Sequence, residues 1–125
     1  MAQGVGGIPA AELAYLGDAV FELLVRDMLI HEGIAFKHLS RHAKNYVSAV
    51  AQSAMYHKIF DQLTEAEQAI MKRGRNLHQT SRAKNAGVME YRHATGLESL
   101  FGYLHYGKQF VRLQEVFALC IHKAD

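Results

Sequence analysis

Pro9 is the only proline of the chain and precedes its first periodic segment. A proline inside a helix removes a hydrogen bond and clashes with the preceding turn, so nothing downstream of Pro9 interrupts long helices. The apolar residues repeat accordingly. Leu13, Leu16, Val20 and Leu24 recur at three- and four-residue spacing, the period of one helix face, which predicts a first helix from about Ala10 to His31, closed by Glu32-Gly33. A second, more polar helical stretch covers about Lys37 to Phe60 and carries Val47, Val50, Ala51, Ala54 and Tyr56. Thr64 with Glu67 three residues on forms a capping box, starting a third helix that runs to about Gly74. From Gly74 to Ala86 there is no apolar period and many turn-favouring residues, which predicts a loop. A fourth helix, about Gly87 to Tyr106, and a fifth, about Phe110 to Lys123, flank a break at Gly107. With no strand pattern, repeat or low-complexity tract, the expectation is all-α: one domain over residues 1–125, with about five main helices.

A chain of 125 residues can bury roughly two-thirds of its unfolded surface, enough for a real core. Cys120 is the single cysteine, which excludes an internal disulfide and fits a reducing compartment. The first ten residues lack the basic start and apolar run of a signal peptide. Asp18, Glu22 and Arg26 interrupt the longest apolar stretch before it could span a membrane. A cytoplasmic protein is expected.

Charge is unevenly distributed. Lys72, Arg73, Arg75, Arg82, Lys84 and Arg92 are six of the fourteen basic residues, and Glu90 is the only acid among them, so the other eleven acids lie elsewhere. A solvated face is the plain alternative for such a run. Its density in a segment without apolar anchors favours a polyanionic partner, because lysine and arginine there suit phosphate contacts.

Asp18 lies within Leu13-Ala14-Tyr15-Leu16-Gly17-Asp18-Ala19-Val20-Phe21-Glu22-Leu23-Leu24-Val25, a segment apolar enough to be buried on nearly every side. A buried carboxylate costs several kcal/mol unless a cation or several donors compensate it. Asp18, Glu22 and Arg26 form a polar stripe at four-residue spacing, so an internal ladder with Glu22 paired to Arg26 is one way to compensate the charge. Gly17, which costs about 1 kcal/mol in a helix interior, suggests that another backbone or a ligand comes close. On the fourth helix Tyr91, Thr95, Glu98, Gly102 and His105 share one seam, with Leu97, Leu100, Phe101 and Leu104 mostly on the other side. Gly96 and Gly102 would let a neighbour approach. If the two seams face each other, Asp18 and Glu98 converge; two carboxylates at close range raise one pKa, and a divalent cation removes that difficulty. All-oxygen donors completed by water and substrate phosphate favour Mg2+, Mn2+ or Ca2+, and Mg2+ most. His38 and His42 lack a third zinc ligand, and Glu90-Tyr91-Arg92-His93 is a single Glu-x-x-His where a di-iron bundle needs two.

Leu13-Ala14-Tyr15-Leu16-Gly17-Asp18-Ala19-Val20 resembles the signature helix of the ribonuclease III family, most closely its short Mini branch, which has the catalytic domain without a double-stranded-RNA-binding domain. Lys72-Arg73-Gly74-Arg75-Asn76, then Lys84-Asn85, then Tyr91-Arg92 through Thr95-Gly96-Leu97-Glu98-Ser99-Leu100-Phe101-Gly102-Tyr103-Leu104 follow in matching order, over about residues 10 to 120. The resemblance implies a Mg2+-dependent endoribonuclease cutting double-stranded RNA as a homodimer. Asp18 and Glu98 would be the catalytic metal ligands, with Mn2+ able to replace Mg2+. Lys72, Arg73, Arg75, Asn76, Arg82, Lys84, Asn85 and Arg92 would bind RNA, and Tyr15 would lie in the dimer interface. Ala14 and Thr95 stand where longer members carry Glu and Asp, as the short branch does, leaving fewer ligands for a second metal. Large-subunit ribosomal RNA precursor is the substrate that the resemblance suggests. The alternative is a non-catalytic RNA-binding factor on the same fold, which has no reason to keep two costly acids.

Overall fold

A computed structural model describes residues 5–77 and 87–122. Among them every regular element is helical. After a 3-10 turn at Val5–Gly7 come α1 (Ala10–His31), α2 (Leu39–Val47), α3 (Ala49–Ile59), α4 (Glu65–Arg75), α5 (Gly87–Tyr106) and α6 (Phe110–Ile121), with further 3-10 turns at Phe36–His38 and Phe60–Gln62.

The predicted second helix is two. Ser48 is extended, and its hydroxyl accepts a hydrogen bond from the Ala51 amide, so it ends α2 and caps α3. This break resets the face that α3 turns inward. Gln52 and Ser53 are buried with Met55, Tyr56 and Ile59, while Val50 and Ala54 face solvent. The box at Thr64 forms as expected: the Thr64 hydroxyl accepts from the Glu67 amide, and the Glu67 carboxylate accepts from the Thr64 amide. Glu67 is itself buried, and Arg112 of α6 reaches it with two donors at 2.8 and 2.9 Å, clamping the start of α4 to α6. That paired guanidinium holds Glu67 below the usual carboxylate range.

α5 is the central helix, packed by α1, α3 and α4. Its Leu97, Leu100, Phe101 and Leu104 have no exposed surface. Phe101 meets Phe21 of α1 and Phe117 of α6 edge-on, with centroids 5.1 and 6.3 Å apart, and Phe21 meets Phe117 at 5.7 Å. The buried stripe of α1 is Leu13, Val20, Phe21, Val25 and Leu29; Leu16 and Leu24 reach the core only in part. Burial pushes the Cys120 thiol up to about 12, leaving it a packing residue without thiolate character at neutral pH. Among the described residues no helix is long and apolar enough to cross a membrane.

Candidate active site

The site is built on an unusually close helix crossing. A Cβ added to Gly17 would stand 1.7 Å from the carbonyl oxygen of Glu98, and one added to Gly102 would stand 1.9 Å from that of Leu13. Each helix thus presents a bare backbone to the other at reciprocal points, which is the close approach that Gly17 suggested. Gly96 serves different neighbours, Met71 of α4 and Tyr56 of α3. Because Asp18 follows Gly17 and Glu98 is itself a contact of Gly17, the crossing sets the two acids side by side.

Asp18 is exposed, contrary to the burial expected of its segment. The reason is the face it occupies: the core of α1 lies along Leu13, Phe21 and Val25, and Tyr15, Leu23 and Ile30 are exposed on the same helix despite being apolar. Glu98 carries the desolvation instead. Burial, together with the Asp18 carboxylate beside it, pushes Glu98 up to about 7, and the Gln52 amide hydrogen-bonded to it opposes the rise. The rest of the polar stripe is an ion pair, with Arg26 2.8 Å from Glu22.

Gln52 is the contributor that sequence reasoning missed. It is 3% exposed and comes from α3, a third helix, to face Glu98. The signal that could have found it is an amide at a position that a helix of small apolar residues turns inward, which is legible only once the Ser48 break is known. Two carboxylates are hard oxygen donors, and a raised pKa on one acid is what a bound divalent cation reverses. The residues therefore fit a Mg2+-type ion. No group of three or more His, Cys, Asp or Glu within ligand reach occurs among the described residues.

The basic residues divide. Lys72, Arg73 and Arg75 lie on the last turn of α4, where the loop was expected only from Gly74 onward, and Asn76 caps that helix. Arg73 donates to the Ile8 carbonyl at 2.8 Å, tying the N-terminal segment down, and Arg75 donates to the Asn76 side chain at 3.0 Å. Lys72 stands over the Phe60 ring. Arg92 is half-buried on α5. Arg82, Lys84 and Asn85, with most of the predicted loop, lie outside the described residues. Tyr15 is 85% exposed.

Residues 11–109 match the ribonuclease III domain. The chain belongs to the ribonuclease III family. Within it, the chain is 46% identical over 114 residues to the Mini-ribonuclease 3 of Enterococcus faecalis, an alignment spanning 89% of this chain and 86% of that one. It is 44% identical over 110 residues to the Mini-ribonuclease 3 of Symbiobacterium thermophilum, covering 87% and 85%. The fold is similar to that in the crystal structure of a Fusobacterium nucleatum protein, 33% identical, with a TM-score of 0.79 over 91% of this chain and 92% of that one. Both acids lie inside the matched domain.

Proposed function

We propose that this chain is a divalent-metal-dependent endoribonuclease that hydrolyses phosphodiester bonds of double-stranded RNA, with Asp18 and Glu98 as its catalytic carboxylates. The observation that carries the reading is their juxtaposition at the α1–α5 crossing, inside a ribonuclease III domain. Asp18 and Glu98 would hold Mg2+, or Mn2+ in its place. Held there, the ion would supply positive charge to the scissile phosphate and lower the pKa of a water for in-line attack; the expected products carry a 5′ phosphate and a 3′ hydroxyl. The chain's own residues supply the geometry. Exposed Asp18 presents its carboxylate to solvent, Glu98 would offer a carboxylate oxygen to the ion, and Gln52 orients Glu98 through a hydrogen bond.

The proposed working form is a homodimer. Tyr15, Leu23 and Ile30, 85%, 66% and 65% exposed, leave α1 an apolar surface that a second copy would cover. A two-fold axis places two sites across a duplex, one for each strand. Lys72, Arg73, Arg75, Asn76 and Arg92, together with Arg82, Lys84 and Asn85 in sequence, form the proposed RNA-binding region. Double-helical RNA shows little base information in its grooves, so selection rests on shape. A large-subunit ribosomal RNA precursor is the proposed substrate, in the cytoplasm.

Labelled duplex RNA incubated with Mg2+, with chelator, and with the Asp18→Asn protein tests the reading. Cleavage by the Mg2+-loaded native chain alone is expected. RNA bound but never cut would instead make the protein a binding factor on the same fold.

A further inference from the structure

His93, which the acid pair does not use, is buried on α5, and its Nδ1 lies 2.8 Å from the Met89 carbonyl oxygen. A carbonyl accepts only from N–H, so the proton of the neutral ring sits on Nδ1. Nε2 is then an acceptor, and becomes a donor only when the ring is protonated. The ring of solvent-exposed His57, on α3, lies 4.4 Å away centroid to centroid, tilted by 55°. Tyr56 packs edge-on against both imidazoles, at 4.7 and 5.4 Å. Its hydroxyl is fully buried, with the Arg75 guanidinium beside it.

The groups that face His93 are His57 and Tyr56 from α3, Arg75 from the end of α4, and Glu90 from its own helix. Glu90 is the one acid among the described residues that face it. Burial, reinforced by the neighbouring His57 ring and Arg75 guanidinium, holds His93 below its ordinary value. A permanently charged guanidinium beside two imidazoles in ring contact suits an anion. A cation ligand is disfavoured by Arg75.

We propose that His57, His93 and Arg75 form a phosphate-binding site, separate from the Asp18–Glu98 pair, that holds one phosphodiester group of the RNA backbone and gains a proton on an imidazole as it does so. The inference rests on the reading of the chain as a double-stranded-RNA enzyme. Arg75 supplies a permanent charge. A second charge on two imidazoles this close is unfavourable until the phosphate stands against them, and the proton comes from solvent with no bond made or broken in the RNA. RNA affinity is therefore linked to pH through this cluster as well as through the acid pair.

The test uses the full chain carrying Asp18→Asn and Glu98→Gln, without metal, so that neither acid titrates and RNA is not cut. Calorimetric titration with a short RNA duplex, in buffers of different ionisation heat at about pH 6.5 and about pH 8, counts the protons taken up. Uptake approaching one proton per chain, and affinity higher at the lower pH, are expected. Adding His57→Ala or His93→Gln should abolish uptake and weaken binding ~tenfold at the lower pH while changing it little at the higher. His57 is exposed, so its variant keeps the test intact even if the His93 variant fails to fold. Undiminished uptake in the His57 variant overturns the proposal and leaves the enzyme reading standing. Failure of every form to bind duplex RNA overturns the enzyme reading, and the phosphodiester ligand with it.

Discussion

Glu98 is pushed up to about 7 by its own burial and by Asp18 across the helix crossing, against an ordinary value of 4.5. Folding therefore favours the protonated form of Glu98. The stability this represents is complete below about 4.5 and is lost as pH rises from there through about 7. The metal-free protein should lose on the order of 1–3 kcal/mol over that window, read as a falling melting temperature. Mg2+ should restore the loss at pH 8, and Glu98→Gln should remove the slope. A melting temperature that stays level in the metal-free native chain would mean that the two carboxyls do not interact in solution.

Gly17→Ala places a methyl group against the Glu98 carbonyl, a backbone atom that cannot swing aside. The helices must separate, at a cost of about 3 kcal/mol or more, and the acids separate with them. Both melting temperature and cleavage should fall. Gly33→Ala, at a left-handed turn with open space around it, should cost stability through its backbone alone and leave cleavage intact.

Gln52→Ala leaves Glu98 without its amide donor. Loss of such an orienting partner typically weakens metal affinity ten- to a hundred-fold. The Mg2+ concentration for half-maximal cleavage should rise by about tenfold or more, with the rate at saturating Mg2+ much less affected. An unchanged Mg2+ dependence would assign Gln52 to packing.

Arg112→Met strands the buried Glu67 carboxylate beside its cap. Removing one partner of a buried pair costs about 3–5 kcal/mol, measurable by denaturant titration. Because Arg112 holds Glu67 below its ordinary value, the pair contributes stability above the ordinary carboxylate range and loses it as pH falls through the depressed value. The variant should therefore lose most at neutral pH and approach the native stability in acid. The Mg2+ dependence of cleavage should not move, since the clamp lies between α4 and α6.

Tyr15→Ala removes the most exposed aromatic of α1. If α1 forms the dimer interface, sedimentation should show a shift from dimer toward monomer with helix content unchanged. A dimer of undiminished stability would place the interface elsewhere.

Much of this molecule is readable from local rules. The absence of proline after Pro9, the 3.6-residue apolar period and the Thr64–Glu67 box depend on neighbours in sequence, and α1, α4 and α5 lie where those signals put them. Gly17 and Glu98 were recognisable because a glycine within a helix and an acid on a small-residue seam are locally unfavourable. What local rules could not supply was the side of each helix that meets another. The Ser48 cap, which turns Gln52 inward, resets a register that looked continuous. Asp18 is exposed and Glu98 is the desolvated acid because burial depends on which helices cover which faces, a property of packing that no single segment encodes. The Tyr56, His57, His93 and Arg75 cluster likewise joins three helices. The chain's pattern thus dictated its helices and named its acids, whereas the contact between α1 and α5 assigned each acid its environment, since desolvation and carboxylate repulsion act through space.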